Sequence, residues 1–256
     1  MYLCDKTDFM LDILLKHRTI RKYKEDDIPE ELLSCILEAG CRASTTGNMQ
    51  VYSIVINRDA EMKKKLAECH FNQPMVEKAP VVLTFCADFN RFNQWCKQNK
   101  AEPGYDNFLS FFTAAIDALL VAQNVCVAAE SEGLGICYLG TTTYLAGKII
   151  DILRLPSGVV PVTTVTIGWP AENPTLVDRL GLKAIVHNET YKNYSVDDIS
   201  HLYAEKEALP ENRKFVSENQ KETLAQVFTD IRYKKTDNEL FSGMLLDVLK
   251  QQGFMH

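Results

Sequence analysis

The sequence lacks the short motifs that mark several large enzyme classes. It has no Gly-x-Ser-x-Gly for a hydrolase nucleophile and no His-x-x-x-His pair for a metal-dependent hydrolase. The phosphate-binding Gly-x-x-x-x-Gly-Lys-Ser/Thr and the dinucleotide-binding Gly-x-Gly-x-x-Gly are also missing, and Gly133–Gly135 is only a weak match to the latter. None of the eight cysteines belongs to a Cys-x-x-Cys pair, and no histidine stands at a zinc-finger spacing. The chemistry therefore has to come from other residues.

Long apolar runs and an excess of positive charge are missing too. The net charge is −6, which argues against a nucleic-acid partner. The most apolar stretch, Phe108–Ala129, is interrupted by polar residues and falls short of the ~20 apolar residues of a membrane span, so it predicts a buried helix. Met1–Asp8 is charged and lacks the apolar core of a signal peptide. We therefore expect a cytoplasmic protein with reduced thiols and no membrane association.

Strand-like and helical patterns alternate along the chain. The strand patterns lie at residues 51–57, 81–87 and 159–167. Helical patterns include 60–69, and the longest covers 106–132. This alternation favours an α+β or α/β sheet covered by helices. The last part of the chain is more charged and predicts further helices, at 196–207, 222–235 and 238–252, with a linker at 208–216 that contains Pro210.

Three polar segments are candidates for a binding site. The stretch His17–Tyr23 gathers basic side chains and one hydroxyl directly after a predicted helix. Such a cluster can simply offset the helix dipole at a C-terminus, or it can hold an anion such as a phosphate. The loop Ser44–Gln50 is rich in hydroxyls and amides, and Tyr138–Thr141 contains a glycine. Each segment could be only a loop, but together they offer what a phosphorylated, planar cofactor needs.

The order of these segments resembles the FMN-dependent nitroreductase superfamily, in particular its branch of oxygen-insensitive nitroreductases and NADPH–flavin oxidoreductases. His17–Arg21 is similar to the opening flavin motif, with Thr19 where the family usually has Ser. Ser44–Gln50 is similar to the Ser-rich, Asn-x-Gln loop, and Tyr138–Gly140 and Gly168–Pro174 also match the branch. Each motif alone is weak, whereas their shared order and spacing are specific.

The resemblance implies an α+β sandwich with a central, mostly antiparallel sheet covered by helices, and a homodimer. It implies an FMN-binding domain at residues 1–195, with 196–256 as a helical C-terminal extension of the same domain. Arg18 and Arg21 would bind the FMN phosphate, helped by Arg179, and part of Ser44–Gln50 would serve the partner's flavin. The complete set of implied cofactor-binding residues is His17, Arg18, Thr19, Arg21, Ser44, Thr45, Thr46, Asn48, Gln73, Tyr138, Leu139, Gly140, Thr141 and Arg179.

The implied reaction is a ping-pong reduction. NAD(P)H, and NADPH by preference of the branch, would deliver hydride to FMN, and a nitroaromatic, quinone or flavin would then be reduced by two electrons. No catalytic side chain and no metal ion is expected, because the flavin carries the chemistry. The 2′-phosphate of NADPH could meet Arg213, Lys214 and Lys221, although a solvated charged loop explains these residues equally well.

The sequence departs from the branch at one position. A lysine usually stands two residues before the arginine that Arg179 matches, and this chain has Val177, with Lys183 as a possible substitute. This departure keeps open the alternative of a flavin-binding or sensing protein with poor turnover. A flavoenzyme of the same fold that acts on another acceptor also stays open, because the shape of the loops determines the acceptor.

Overall fold

A computed structural model of the chain describes residues 9–256, and it divides them into two compact units. The first unit extends to Thr175 and resumes with Phe241–His256, and the second comprises Leu176–Leu240. The segment Met1–Asp8, on which the expected absence of a signal peptide rests, lies outside the described residues. The predicted functional division at residue 195 is a division by role and stays a prediction.

The first unit is built on a four-stranded antiparallel sheet. Its strands are β1 (Tyr52–Asn57), β2 (Val81–Asp88), β3 (Gly135–Leu139) and β4 (Val159–Gly168), in the order β1-β2-β4-β3. β2 and β4 are buried along most of their length, as expected of central strands, and their pairing has an irregularity at Phe85. The predicted α+β class and antiparallel sheet are confirmed.

Helices cover both faces of this sheet. They are α1 (Phe9–Leu15), α2 (Glu30–Gly40), α3 (Ala60–Cys69), α4 (Pro74–Lys78), α5 (Asn90–Gln98), α6 (Phe108–Ser131), α7 (Ala146–Leu153) and the later part of α11 (Lys235–Gln251). One core cluster joins α2 and α6 to the sheet through residues such as Leu33, Val125 and Ile167. A second joins α3, α4 and α7 to the sheet through residues such as Leu66 and Leu139.

The long helix α6 is the element predicted from the apolar stretch. Among the described helices it alone is long and apolar enough to cross a membrane by length and composition, but half of its most apolar window is buried in the fold. Asn107 caps its start, accepting a hydrogen bond from Ser110 N at 3.1 Å. The burial fits the prediction of a core helix.

The second unit is helical and corrects one prediction. It contains α8 (Val196–Ala208), α9 (Pro210–Glu218) and α10 (Leu224–Gln226), which continues into a π-helical turn at Val227–Arg232. The predicted linker at 208–216 is wrong, because most of it forms α9. Pro210 stands in the first turn of that helix, where its missing N–H has no helical partner to lose.

Candidate functional site

The basic stretch His17–Tyr23 lies against the outer edge of β3. Thr19 forms a parallel bridge with Ile136, and Ile20 N donates to Ile136 O at 2.9 Å. On its other side, Lys24 N donates to Trp169 O at 2.9 Å, so the stretch is held between β3 and the segment after β4. The stretch therefore covers an edge strand whose backbone groups would otherwise be exposed.

A close contact fixes this position. Gly135 opens β3, and a Cβ atom added there would lie 2.6 Å from Cβ of Ile20. Only glycine allows the two backbones to approach so closely. Tyr23 adds a second anchor, since its buried hydroxyl lies 2.7 Å from Ile20 O and 2.8 Å from Thr166 Oγ1, and burial raises its pKa.

A cleft of about 550 Å³ opens beside the stretch, and its acidic groups already have partners. Glu130 of α6 forms a hydrogen bond with His17, with 2.6 Å between Glu130 Oε1 and His17 Nδ1. Burial raises the pKa of Glu130, and this hydrogen bond partly offsets the rise. Glu172 accepts the backbone N–H groups of Arg21 at 2.7 Å and Lys22 at 3.0 Å. The neighbouring acids are thus held by other groups of the stretch.

The two arginines are not held in this way. Arg18 lines the cleft, and its Nε is buried without a hydrogen-bond partner among the described residues. Arg21 is exposed, and its guanidinium forms no ion pair with another described residue. An unpaired, buried guanidinium nitrogen is costly to leave alone. An anionic group such as a phosphate fits this site.

The far end of β3 carries the second group of predicted residues. Leu139 is buried, whereas Gly140 is exposed, and a Cβ atom added at Gly140 would meet no atom within 4 Å. Four residue steps separate the two ends of β3, or roughly 13 Å.

Gln73 is connected to the C-terminal end of β3 by His70, a residue that the sequence did not single out. His70 closes α3, and its Nδ1 lies 2.8 Å from Thr141 Oγ1, while its backbone oxygen accepts from Gln73 N at 3.2 Å. No local pattern marked His70, because its partner lies 71 residues away. Tyr138 points into the core beside Cys126, and burial raises the pKa of its hydroxyl.

The loop Ser44–Gln50 does not join these two groups within the chain. It leads into β1, the edge strand opposite β3, and its described partners are Asp117 of α6 and Arg91 of α5, which donates to Gln50 O. Asp117 is buried and accepts from Thr46 N at 3.0 Å and from Thr46 Oγ1 at 3.2 Å. Ser44 and Thr45 make no side-chain hydrogen bond to another described residue and are free to meet a ligand.

The backbone of this loop is strained. Gly47 and Asn48 have φ angles of +57° and +56°, and Gln50 has +49°. Left-handed conformations of this kind at non-glycine residues are concentrated at binding sites and tight turns. The Asn48 side chain accepts a hydrogen bond from the Gln50 side chain, which helps to hold the loop in this form.

The remaining predicted residue, Arg179, belongs to the second unit. It is exposed, and its Nη1 donates to Asp178 O at 3.0 Å. Val177 is 62% exposed and supplies no charge, and Lys183 lines a separate cleft of the second unit. Within residues 9–256, no group of three or more His, Cys, Asp or Glu side chains is arranged to hold a metal ion.

The fold and the two ends of β3 define an α+β protein whose edge strand has two arginines, unpaired among the described residues, beside one end and an exposed glycine at the other. The chain belongs to the Nitroreductase family, whose sequence model matches residues 14–169. It is 35% identical over 193 residues to an FMN reductase (NADPH) from Bacillus subtilis, covering 75% of this chain and 77% of the relative.

Solved structures extend the likeness over nearly the whole chain. An inferred oxidoreductase from Bacteroides fragilis shares 59% identity with a TM-score of 0.94, covering 96% of this chain and all of that one. NfrA1 nitroreductase from B. subtilis shares 30% identity with a TM-score of 0.85, covering 96% of this chain and 98% of that one. The likeness therefore includes most of the helical second unit.

Proposed function

We propose that this protein reduces small planar acceptors, such as nitroaromatics, quinones or flavins, by two electrons in a ping-pong cycle. The protein is an NAD(P)H-dependent flavin oxidoreductase that uses FMN, as its membership of the Nitroreductase family and its similarity to an FMN reductase (NADPH) indicate. The acceptor and the kinetic scheme are the proposed part. They are supported by the open surface at Gly140, where an added Cβ atom would meet no protein atom within 4 Å.

The observation that carries the assignment of the cofactor site is the unpaired Nε of Arg18. Arg18 and Arg21 would hold the phosphate through charge-assisted hydrogen bonds, with the stretch fixed by its bonds to Ile136. Residues Tyr138–Thr141 and Gln73 would orient the ring. Bound FMN supplies the redox chemistry, so the chain itself needs only to bind, orient and shield it.

The direct experiment follows the colour of the purified protein. We expect a yellow protein that bleaches on addition of NADPH and regains its colour with menadione or nitrofurazone. A protein that stays colourless after incubation with FMN would refute the cofactor assignment. A yellow protein that bleaches only slowly would instead support the flavin-binding or sensing alternative, which the uncharged Val177 favours.

A single substitution tests the phosphate site. Arg21→Ala removes one charge-assisted contact and should weaken FMN binding by about 1.5–3 kcal/mol, measured by the recovery of free FMN fluorescence. Lys24→Ala is a matched control, because it removes an exposed cation of the neighbouring turn that has no predicted role. Equal affinities for the two variants would contradict the role of Arg21.

We also propose that the site is completed in a homodimer. The loop Ser44–Gln50 lies by the edge strand opposite β3, so a second copy is needed for it to meet a flavin on β3. Helix α6 presents an apolar stripe to the outside of the chain, which suits burial against such a copy. The stripe consists of Phe108, Leu109, Phe112, Ile116, Leu119 and Leu120.

NADPH preference and a cytoplasmic location complete the proposal. Of the three cations named for the 2′-phosphate, Lys221 is 2.9 Å from Asp230 and Lys214 is 3.6 Å from Glu218, while Arg213 has no ion pair among the described residues. Arg213 is therefore the best placed to bind a phosphate. Equal kcat/KM values with NADPH and NADH would remove this preference. The described cysteines are all free thiols, in keeping with a reducing compartment.

A further inference from the structure

The histidine at the end of α3 is buried, and one of its two ring nitrogens lacks a hydrogen-bond partner among the described residues. His70 is completely inaccessible, its Nδ1 lies 2.8 Å from Thr141 Oγ1, and its Nε2 has no partner among the described residues. Burial lowers the pKa of His70 to about 4, so the ring is neutral near pH 7 and carries a single N–H. A leucine would fill such a position without leaving a buried polar atom unpaired.

This histidine connects the two segments that meet at the end of β3. Its backbone oxygen accepts from Gln73 N at 3.2 Å, which fixes the start of α4. Its ring fixes Thr141, whose own backbone oxygen accepts from Tyr144 N at 3.1 Å in the turn before α7. One residue therefore links Gln73, at the start of α4, to Thr141, which directly follows the exposed Gly140.

The unpaired Nε2 indicates which ring nitrogen carries the proton. If Thr141 donated to Nδ1, the proton would be on Nε2 and a buried N–H would be left without an acceptor. If Nδ1–H donates to Thr141, only a lone pair on Nε2 is left unsatisfied, and buried N–H donors without partners are the rarer of the two. The second arrangement leaves the hydroxyl proton of Thr141 free.

We propose that His70 is a positioning residue, which holds Thr141 so that the hydroxyl of Thr141 donates a hydrogen bond to the flavin ring. This inference rests on the proposed FMN site. It assigns His70 no contact with the flavin and no proton transfer. It also accounts for a buried histidine at a position where an apolar residue would pack without an orphaned polar atom.

The test replaces His70 with side chains whose amide group lies near one or the other nitrogen of the histidine ring, or that have no polar group. His70→Asn puts its amide near the place of Nδ1, whereas His70→Gln puts it near Nε2 and His70→Leu removes it. Thr141→Val and Thr141→Ser remove and keep the hydroxyl. For each variant, FMN affinity is measured by fluorescence, the midpoint potential of the bound flavin by redox titration, and apoprotein stability by thermal unfolding.

We expect His70→Leu and Thr141→Val each to weaken FMN binding by about three- to tenfold, as for the loss of one neutral hydrogen bond. Both should shift the midpoint potential by the same amount, and the double variant should shift it no further. His70→Asn and Thr141→Ser should restore the wild-type values, and His70→Gln should not. Val76→Ala, at a buried core position of α4, should lower the unfolding temperature without changing the potential.

Several results would overturn the inference. A His70→Leu protein with altered stability but wild-type affinity and potential would show that His70 only supports the core. Additive shifts in the double variant would show that His70 does not act through Thr141. If His70→Leu does not fold, an unchanged potential in Thr141→Val is sufficient to reject the inference. Failure of the wild-type protein to bind FMN would refute the proposed function itself, whereas wild-type binding with unaffected variants refutes only the role of His70.

Discussion

Gly135 is where a single added methyl group should separate the basic stretch from β3. An alanine Cβ at this position would lie 2.6 Å from both Cβ and Cγ1 of Ile20, and 2.9 Å from Cγ2. Ile20 is buried, and its backbone N–H is bound to Ile136 O at 2.9 Å. The closest atom is attached directly to the backbone of Ile20, so no side-chain rotation relieves the contact. The stretch or the strand has to move.

The expected magnitude follows from the two consequences of this movement. Overpacking of this kind costs about 1–3 kcal/mol of stability. In a chain of this size, that loss lowers Tm by roughly 2–10 °C. The displaced stretch should also lose a charge-assisted phosphate contact of about 1.5–3 kcal/mol, so FMN binding should weaken by about ten- to 100-fold. Shortening Ile20 to alanine should not restore binding, because its Cβ is part of the clash.

The assay measures FMN affinity by fluorescence and the Tm of the apoprotein for Gly135→Ala and for Gly104→Ala. Gly104 is the matched control, since an added Cβ there would meet no atom within 4 Å. A Gly135→Ala protein that is less stable but binds FMN like the wild type would refute the placement of the phosphate beside His17–Tyr23. An unchanged Tm would contradict the close contact itself.

Three further substitutions or conditions give separate expectations. Gly140→Ala should leave the Tm of the apoprotein unchanged, because the added Cβ atom would meet no protein atom within 4 Å. The same substitution should weaken FMN binding at least tenfold if the flavin ring lies beside Gly140. An affinity equal to that of the wild type would exclude this position for the ring. Folding lowers the pKa of His70 from its usual 6.5 to about 4, so the unfolded chain binds this proton more readily than the folded chain does. The contribution of His70 should therefore lower the free energy of unfolding by up to about 3 kcal/mol between pH 6.5 and pH 4. Urea titrations of the wild type and of His70→Asn should differ by this amount over the same pH range, because the other titrating groups are common to both proteins. Leu119→Glu, in the exposed apolar stripe of α6, should produce a monomer without FMN in sedimentation velocity. The control Gln98→Glu should leave the oligomeric state unchanged. A monomer that still binds FMN would contradict the dimeric site.

The elements that the sequence predicted well are those with strong local signals. Helix α3 was predicted at its observed bounds, Ala60–Cys69, and Asp59 caps it by accepting from Met62 N at 2.9 Å. Helix α4 was missed because it has only five residues. Helix α9 was mistaken for a linker because Pro210 interrupts a charged stretch, although proline is well tolerated in the first turn of a helix.

The sequence predicted the separate segments of the candidate site but not their arrangement in space. The basic residues of His17–Tyr23 and the glycine of Tyr138–Thr141 can be recognised one segment at a time. Their arrangement along β3 depends on the bridge from Thr19 to Ile136, which joins residues more than 100 positions apart. His70 could not be recognised at all, since its role depends on burial and on a distant threonine.

The strand β3 is what turns these separate segments into one site. Its first residue must be glycine for the basic stretch to approach, and its last residues lead into a glycine that leaves the surface open. The cations are therefore fixed at one end by backbone bonds, and in the proposed site the planar part of the ligand would lie at the other, beside Gly140. This separation makes distinct demands on each end: substitutions near Gly135 should act on phosphate affinity, and substitutions around His70 and Thr141 should act on the potential of the flavin. A residue whose replacement changes both would have to lie on the strand between them.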